Sequence, residues 1–259
     1  MSYSTCLQTE TEERRSPARI PGWDELGNWP EGRWRWPDLT SGNVDVVLAA
    51  ARRLGGRPGV QFIGADCVID VAGTSIDDHV AALPTRQRRT SFQREQRRFA
   101  ESGLEIRRTD LAGIQGAKEL SARLRAQAGQ PGTVIFACFD GDILVGFSLA
   151  CERGAELALR IVDFDNDRAG GYAQLAVHAP LRYCYQRRLR RLQLGTESYQ
   201  AKCRRGARPR PLWAVTSSPS PDAWSFTRAV RRIAAALPAR ESASFAAQAE
   251  QAWRGWVEA

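Results

Sequence analysis

The segment Thr133–Phe164, TVIFACFDGDILVGFSLACERGAELALRIVDF, decides the fold. Its apolar, β-branched and aromatic residues fall into three short runs, and the breaks between them are built from turn formers, Asp140-Gly141-Asp142 and Arg153-Gly154. That pattern predicts strands over 133–139, 143–151 and 156–164, folded back on one another as an antiparallel meander. Upstream, hydrophobic spacing predicts a helix over 44–54 stopped by Gly55-Gly56, short strands at 60–63 and 68–71, a brief helix at 77–83 halted before Pro84, and a long helix over 85–102 ending at Gly103. A strand at 104–108 and a helix at 111–128 lead into the meander. Downstream, the reading is a strand over 172–177, a helix opened by Pro180 and running to about 190, strands at 191–194 and 212–216, and helices over 222–237 and 241–257. Residues 1–40 carry Trp23, Trp29, Trp34 and Trp36 among prolines and are expected to form an ordered, irregular arm. Three segments follow from this: the arm at 1–40, a partial lobe at 41–102 ending in the basic helix, and a core at 103–259.

A chain of 259 residues, 43% of them hydrophobic, is long and apolar enough to bury a large core. No run approaches the ~20 apolar residues that span a bilayer, and the polar start resembles no signal peptide, so a cytoplasmic protein with no membrane association is expected. The six cysteines are widely spaced, with no C-x-x-C pair and only two histidines to join them. They read as reduced thiols, and no metal site or cofactor is expected. A cysteine–histidine nucleophile is the alternative, though no spacing favours it. The net charge of +8 suits a polyanionic partner, although Arg-heavy, Lys-poor, Ala-rich usage is also what a GC-rich genome imposes, so the placement of charge matters more than its sum.

Two features point to chemistry. The helix at 85–102 places arginines at positions three to four apart, Arg88, Arg89, Arg94 and Arg97 among them, and a second cluster holds Arg204, Arg205, Arg208 and Arg210. Each is either a phosphate-binding face or a solvated one. The chain also has only two lysines, Lys118 and Lys202, and Lys202 stands in Tyr199-Gln200-Ala201-Lys202-Cys203-Arg204-Arg205-Gly206. A compact ammonium aims at a single oxygen in a way a planar guanidinium does not, which singles out Lys202 against a background of arginine.

The order of meander, strand, helix, strand, short helix and strand resembles the GNAT acyltransferase fold, an α+β architecture with a mostly antiparallel central sheet. Within it, residues 75–215 resemble the FemAB-like aminoacyltransferases of peptidoglycan and antibiotic pathways. The resemblance is carried by Ile76-Asp77-Asp78-His79 leading through Pro84 into the arginine helix, by the hairpin from Phe136 to Leu149, by Pro180-Leu181-Arg182-Tyr183, and by Tyr199-x-x-Lys202-x-x-x-Gly206 followed by Arg210-Pro211-Leu212-Trp213. It implies that Lys202 steadies the ester carbonyl under attack, that the general base is one of His178, Asp163, Asp165 or Glu197, and that Tyr172, Gln174, Tyr199 and Trp213 contact substrate. It further implies an aminoacyl-tRNA donor, held through Arg88, Arg89, Arg94, Arg97, Arg204, Arg205 and Arg208, and a small amine as acceptor in a natural-product pathway.

Acyl-CoA-dependent relatives carry Arg/Gln-x-x-Gly-x-Gly/Ala at the start of the helix after the fourth strand, where free amides grip a pyrophosphate. With that helix expected to start at Pro180, the corresponding stretch His178-Ala179-Pro180-Leu181-Arg182 has no glycine, and Gly170-Gly171 falls on the wrong side of the strand at 172–177. Acyl-CoA transfer is therefore the second reading. A non-catalytic RNA-binding protein on the same scaffold is the third.

Overall fold

The computed structural model describes residues 35–53, 56–114, 129–164 and 170–257. They divide into two compact units: one holds Cys67–Arg208, the other residues up to Asp66 together with Pro209 onward.

The first unit is built on the predicted meander. Strands β3 (Leu104–Thr109), β4 (Thr133–Asp140), β5 (Ile143–Arg153) and β6 (Glu156–Phe164) pair antiparallel in sequence order. β7 (Arg191–Gln193) then joins β6 in parallel, and the far end of β2 (Gly59–Asp70) pairs antiparallel with β7 through Val68–Gln193, Ile69–Leu192 and Asp70–Arg191. The order across this unit is β2-β7-β6-β5-β4-β3. Alternation along β4 supplies both faces. Ile135 and Ala137 join Phe147, Leu149 and Ile114 in a buried cluster, while Phe136 turns to the other side, 5.8 Å edge-on to Tyr183.

Helices α2 (Ile76–Ala82) and α3 (Arg86–Ala100) start where their caps dictate. Ser75 and Asp78 form a reciprocal capping box, and the Thr85 side chain accepts from the Arg88 amide. Helix α4 differs from the sequence reading. Residues 172–177, expected to be a strand, are helical, and α4 runs without a break through Gly171–Ala173, a π-turn at Gln174–His178, and Ala179–Arg187. Pro180 does not start this helix but sits inside it. A proline there removes a donor and crowds the preceding turn; the π-turn just before it, in which the Ala179 amide reaches back five residues to Gln174, widens the backbone to accept the ring. A short helix, α5 (Tyr199–Arg204), completes the unit.

In the second unit β8 (Arg208–Thr216) lies between β1 (Arg35–Leu39) and the first part of β2. Residues 35–39, expected within an irregular arm, thus form a strand, and the two short strands expected at 60–63 and 68–71 are one strand of twelve residues. Helices α1 (Ser41–Arg53), α6 (Ala223–Ala236) and α7 (Ala239–Val257) follow the prediction closely. Aromatic rings fill this unit: Phe226 stacks on Trp253 at 4.4 Å, and Trp213 is fully buried against Phe62, Phe226 and Trp256. The helix expected at 111–128 lies outside the described residues beyond the 3₁₀ turn Ala112–Ile114, as do Trp23, Trp29 and Trp34. No helix among the described residues is long and apolar enough to cross a membrane.

Candidate active site

β6 and β7 run side by side only through Glu156–Arg191, Leu157–Leu192 and Ala158–Gln193. Their pairing stops there. On its other edge β6 carries a bulge at the same level: Leu159 faces Ala150 and Ile161 faces Leu149, which leaves Arg160 as an extra residue. A bulge bends the strand and re-aims the residues beyond it. The wedge between the two strands opens into a cleft walled by Leu159–Val162 of β6, by Tyr172, Ala176 and Val177 of α4, by the loop Leu194–Ser198, and by Lys202 and Arg205.

Glycine lets α4 come close to this wall. A Cβ on Gly171 would stand 2.3 Å from the Phe164 ring, so the helix N-terminus rests directly on the end of β6. On the opposite wall Glu197 and Ser198 both adopt left-handed backbone, φ 62° and 48°. Two consecutive non-glycine residues in that region are strained, and such strain persists where surrounding structure holds it. The Ser198 carbonyl accepts the Lys202 amide, starting α5, and the Lys202 Nζ donates to the carbonyls of Gly195 at 3.1 Å and Thr196 at 2.5 Å. The ammonium therefore anchors the strained loop and stands in the cleft wall at once.

Behind Arg205 lies a buried polar network that the sequence reading did not find. Arg205 donates through Nε and Nη2 to the two oxygens of Glu95, both at 2.9 Å, and Glu95 Oε2 also meets His178 Nε2 at 3.0 Å. The His178 ring packs on Phe92 with centroids 4.1 Å apart. His79 Nε2 meets the Arg205 carbonyl, and a Cβ on Gly206 would stand 2.7 Å from the His79 ring. The available signal was Glu95 itself, the single acid in the arginine-rich helix, three residues after its one buried aromatic, Phe92. Burial works to raise the Glu95 carboxyl, but the hydrogen bond from His178 and the charge and hydrogen bonds of Arg205 outweigh it and hold it below the usual range. Burial depresses His178 against the opposing pull of Glu95, and burial likewise depresses His79.

These shifts set a pH dependence. Both imidazoles titrate lower in the folded protein than their ordinary 6.5, so the unfolded chain binds more protons below that pH. Their contribution to stability is complete above pH 6.5 and is lost as pH falls through their folded values. Urea midpoints should therefore drop between pH 7.5 and 5.5, and His178→Asn should flatten the dependence. Equal wild-type midpoints at the two pH values would contradict this assignment.

The sequence-derived candidates separate in space. Lys202, Glu197 and Tyr172 line the cleft, and Arg205 closes its back. Tyr199 opens α5, and Asp163 is exposed one residue beyond the lining stretch of β6. Asp165 lies outside the described residues. His178 is not at a strand edge as expected; it lies in the π-turn, fully buried and bound to Glu95. Gln174 is buried too, its Nε2 directed at the Glu95 carbonyl. Trp213 belongs to the aromatic core of the other unit and bonds Ser41, so its faces are not available for stacking on a ligand. The arginines are not one uniform surface. Arg88 donates to the Cys203 carbonyl, Arg89 to the Leu83 carbonyl and Arg205 to Glu95, while Arg94, Arg97, Arg204 and Arg208 are exposed.

Five described cysteines are buried thiols; burial pushes Cys138 up to about 11 and Cys184 up to about 12, so neither is a nucleophile at neutral pH. The helical start of α4 also corrects the reading of the glycines. Gly170 and Gly171 do not precede a strand; they sit at the N-terminus of the helix that follows β6. In that frame Arg168-Ala169-Gly170-Gly171-Tyr172-Ala173 satisfies Arg/Gln-x-x-Gly-x-Gly/Ala in sequence, with Arg168 and Ala169 outside the described residues. The argument against CoA drawn from Pro180 therefore fails.

The sequence matches no protein-family model and no curated protein. Solved structures do resemble the fold. The L-PGS of Bacillus licheniformis aligns with TM-score 0.54 at 9% identity, over 77% of this chain and 72% of that one. The C-terminal domain of an Agrobacterium fabrum protein described as a lysylphosphatidylglycerol synthetase aligns with TM-score 0.51 at 11% identity, over 72% and 68%. FemX gives 0.47 at 9% identity, over 70% and 71%. The fold these alignments share with the chain is α+β, a mixed open sheet flanked by helices.

Proposed function

We propose that this protein is an aminoacyltransferase of the FemAB-like kind, moving an aminoacyl group from aminoacyl-tRNA to the amine of a small acceptor in the cleft between β6 and β7. The observation that carries the reading is the placement of Lys202, an ammonium set in the wall of a wedge where two parallel strands part. In such a step the acceptor nitrogen attacks the ester carbonyl carbon, the carbonyl oxygen becomes an oxyanion, and collapse breaks the ester C–O bond. The ribose hydroxyl departs with a proton and an amide remains. A positive group fixed beside the oxyanion supplies several kcal/mol, because it need not reorganise as charge develops. Glu197 lines the cleft on the strained loop, and this reading gives its carboxylate the task of taking the proton from the attacking amine. The exposed arginines Arg94, Arg97, Arg204 and Arg208 suit the phosphates of the donor. Production of a natural product is the setting in which a transferase of this kind would use a small amine.

One observation favours a second reading, acyl-CoA as donor: the glycine pair at the start of α4, where the helix has no side-chain cap. The two readings part in one experiment. The protein is incubated with a pool of charged tRNA and, separately, a panel of acyl-CoAs, each with a mixture of amines. Acceptor-dependent deacylation of tRNA with CoA esters untouched is the expected result, and the reverse pattern transfers the assignment to CoA.

A further inference from the structure

Helix α6 turns an unusual face to solvent. Its apolar side is spent inside the second unit, where Phe226 stacks on Trp253 and Val230 is buried. Its outer side presents Trp224, 68% exposed, with Arg228, Arg231 and Arg232 following at helical spacings of four, seven and eight. The Arg228 guanidinium lies over one face of the Trp224 ring, 5.4 Å from its centre, as a cation–π pair. No carboxylate occurs in the sequence between Asp222 and Glu241, and Asp222 is engaged in capping the helix through the Ser225 amide and hydroxyl, at 2.9 and 2.8 Å. A tryptophan in water beside three arginines, with no acid on the helix to balance them, is a surface that complements a polyanion carrying flat rings.

We propose that this face of α6 docks RNA, with Trp224 stacking on an unpaired base and Arg228, Arg231 and Arg232 taking the flanking phosphates. The occupant is the body of the donor tRNA, and to that extent the inference rests on the aminoacyl-tRNA reading. Single-stranded segments are held in this way elsewhere, by aromatic platforms set among cations. An anionic membrane is the poorer match. An interfacial helix needs a broad apolar face to sink among acyl chains, and the apolar side of α6 is already buried, leaving one indole among arginines and alanines.

The test uses the full chain and labelled, uncharged tRNA, followed by fluorescence anisotropy across a salt series. Trp224→Ala should weaken binding by about tenfold or more. The triple variant Arg228→Gln, Arg231→Gln, Arg232→Gln should weaken it and make the salt slope shallower by about two to three, one step per phosphate released. Both should melt with the wild type, since every altered side chain is exposed. Unchanged affinity in both variants overturns the proposal, as does a wild type that binds no tRNA. Loss of binding to phosphatidylglycerol vesicles in Trp224→Ala, with tRNA affinity intact, overturns it in favour of a membrane. Consumption of charged tRNA by the variants with unchanged KM removes the α6 surface and leaves the donor reading standing. Loss of tRNA binding in the variants, in a protein that consumes only acyl-CoA, removes the donor reading and leaves the RNA surface.

Discussion

Lys202→Ala should lower the single-turnover rate at saturating donor by roughly a hundredfold or more, the usual consequence of losing one group that stabilises an oxyanion. The proposed chemistry places its ammonium beside the carbonyl under attack. The structure adds a second duty, because the same Nζ ties down the Gly195 and Thr196 carbonyls next to two residues in left-handed backbone. The two duties have different signatures. Loss of charge at the reacting carbonyl lowers the chemical rate with donor affinity unchanged; loosening of the loop lowers melting temperature and donor affinity together. Lys202→Arg should rescue little, since a longer planar group does not fit a site shaped for the two convergent carbonyls of Gly195 and Thr196. A chemical rate within twofold of wild type in the alanine variant would exclude the oxyanion role.

Glu95→Ala should be the most destabilising substitution among the polar residues of the first unit. Glu95 is the carboxylate shared by Arg205 and His178, and its removal takes the ion-pair partner from a largely buried guanidinium and the hydrogen-bond partner from a fully buried imidazole. Breaking one side of a buried ion pair typically costs about 3 to 5 kcal/mol, and because Arg205 keeps its bond to the Ala201 carbonyl and its place on the cleft wall, the low end of that range is expected. For a protein of this size that corresponds to a fall in melting temperature on the order of 10 °C. Glu95→Gln, which keeps the shape and loses the charge, should fall in between. The near-UV circular dichroism melt reads both, and an alanine variant melting within 2 °C of wild type would show the network to be energetically idle. Arg205 also faces the cleft, so the same variant should raise the KM of whatever donor binds there.

Most of the fold was legible because its elements are short-range objects. The meander could be read from alternation and turn residues alone, since each hairpin is closed by the residues that lie between its strands, and the caps at Ser75 and Thr85 are likewise written within four residues. The reading failed at 172–177 for a reason equally local. Pro180 is at home in a helix's first turn, and nothing in single-residue preference announces that a π-turn upstream will let it stand in the middle of one. That single boundary carried the glycine pair to the wrong side of an element and, with it, the argument about the donor.

The site was less legible than the fold. Lys202 stood out by composition, one of only two lysines among many arginines, and the basic character of α3 by its spacing. What the sequence by itself determined was therefore the meander, the helices with clear caps, and the residue types available for acyl transfer. What only the tertiary structure decided was which of them meet: that Glu95 binds both Arg205 and the buried His178, that Trp213 is core, and that Lys202 stands where β6 leaves β7. Those outcomes depend on pairings across tens to more than a hundred residues of chain. Local spacing carries no record of them, because a side chain's protonation, burial and direction are set by neighbours that only the completed fold brings within a few ångströms.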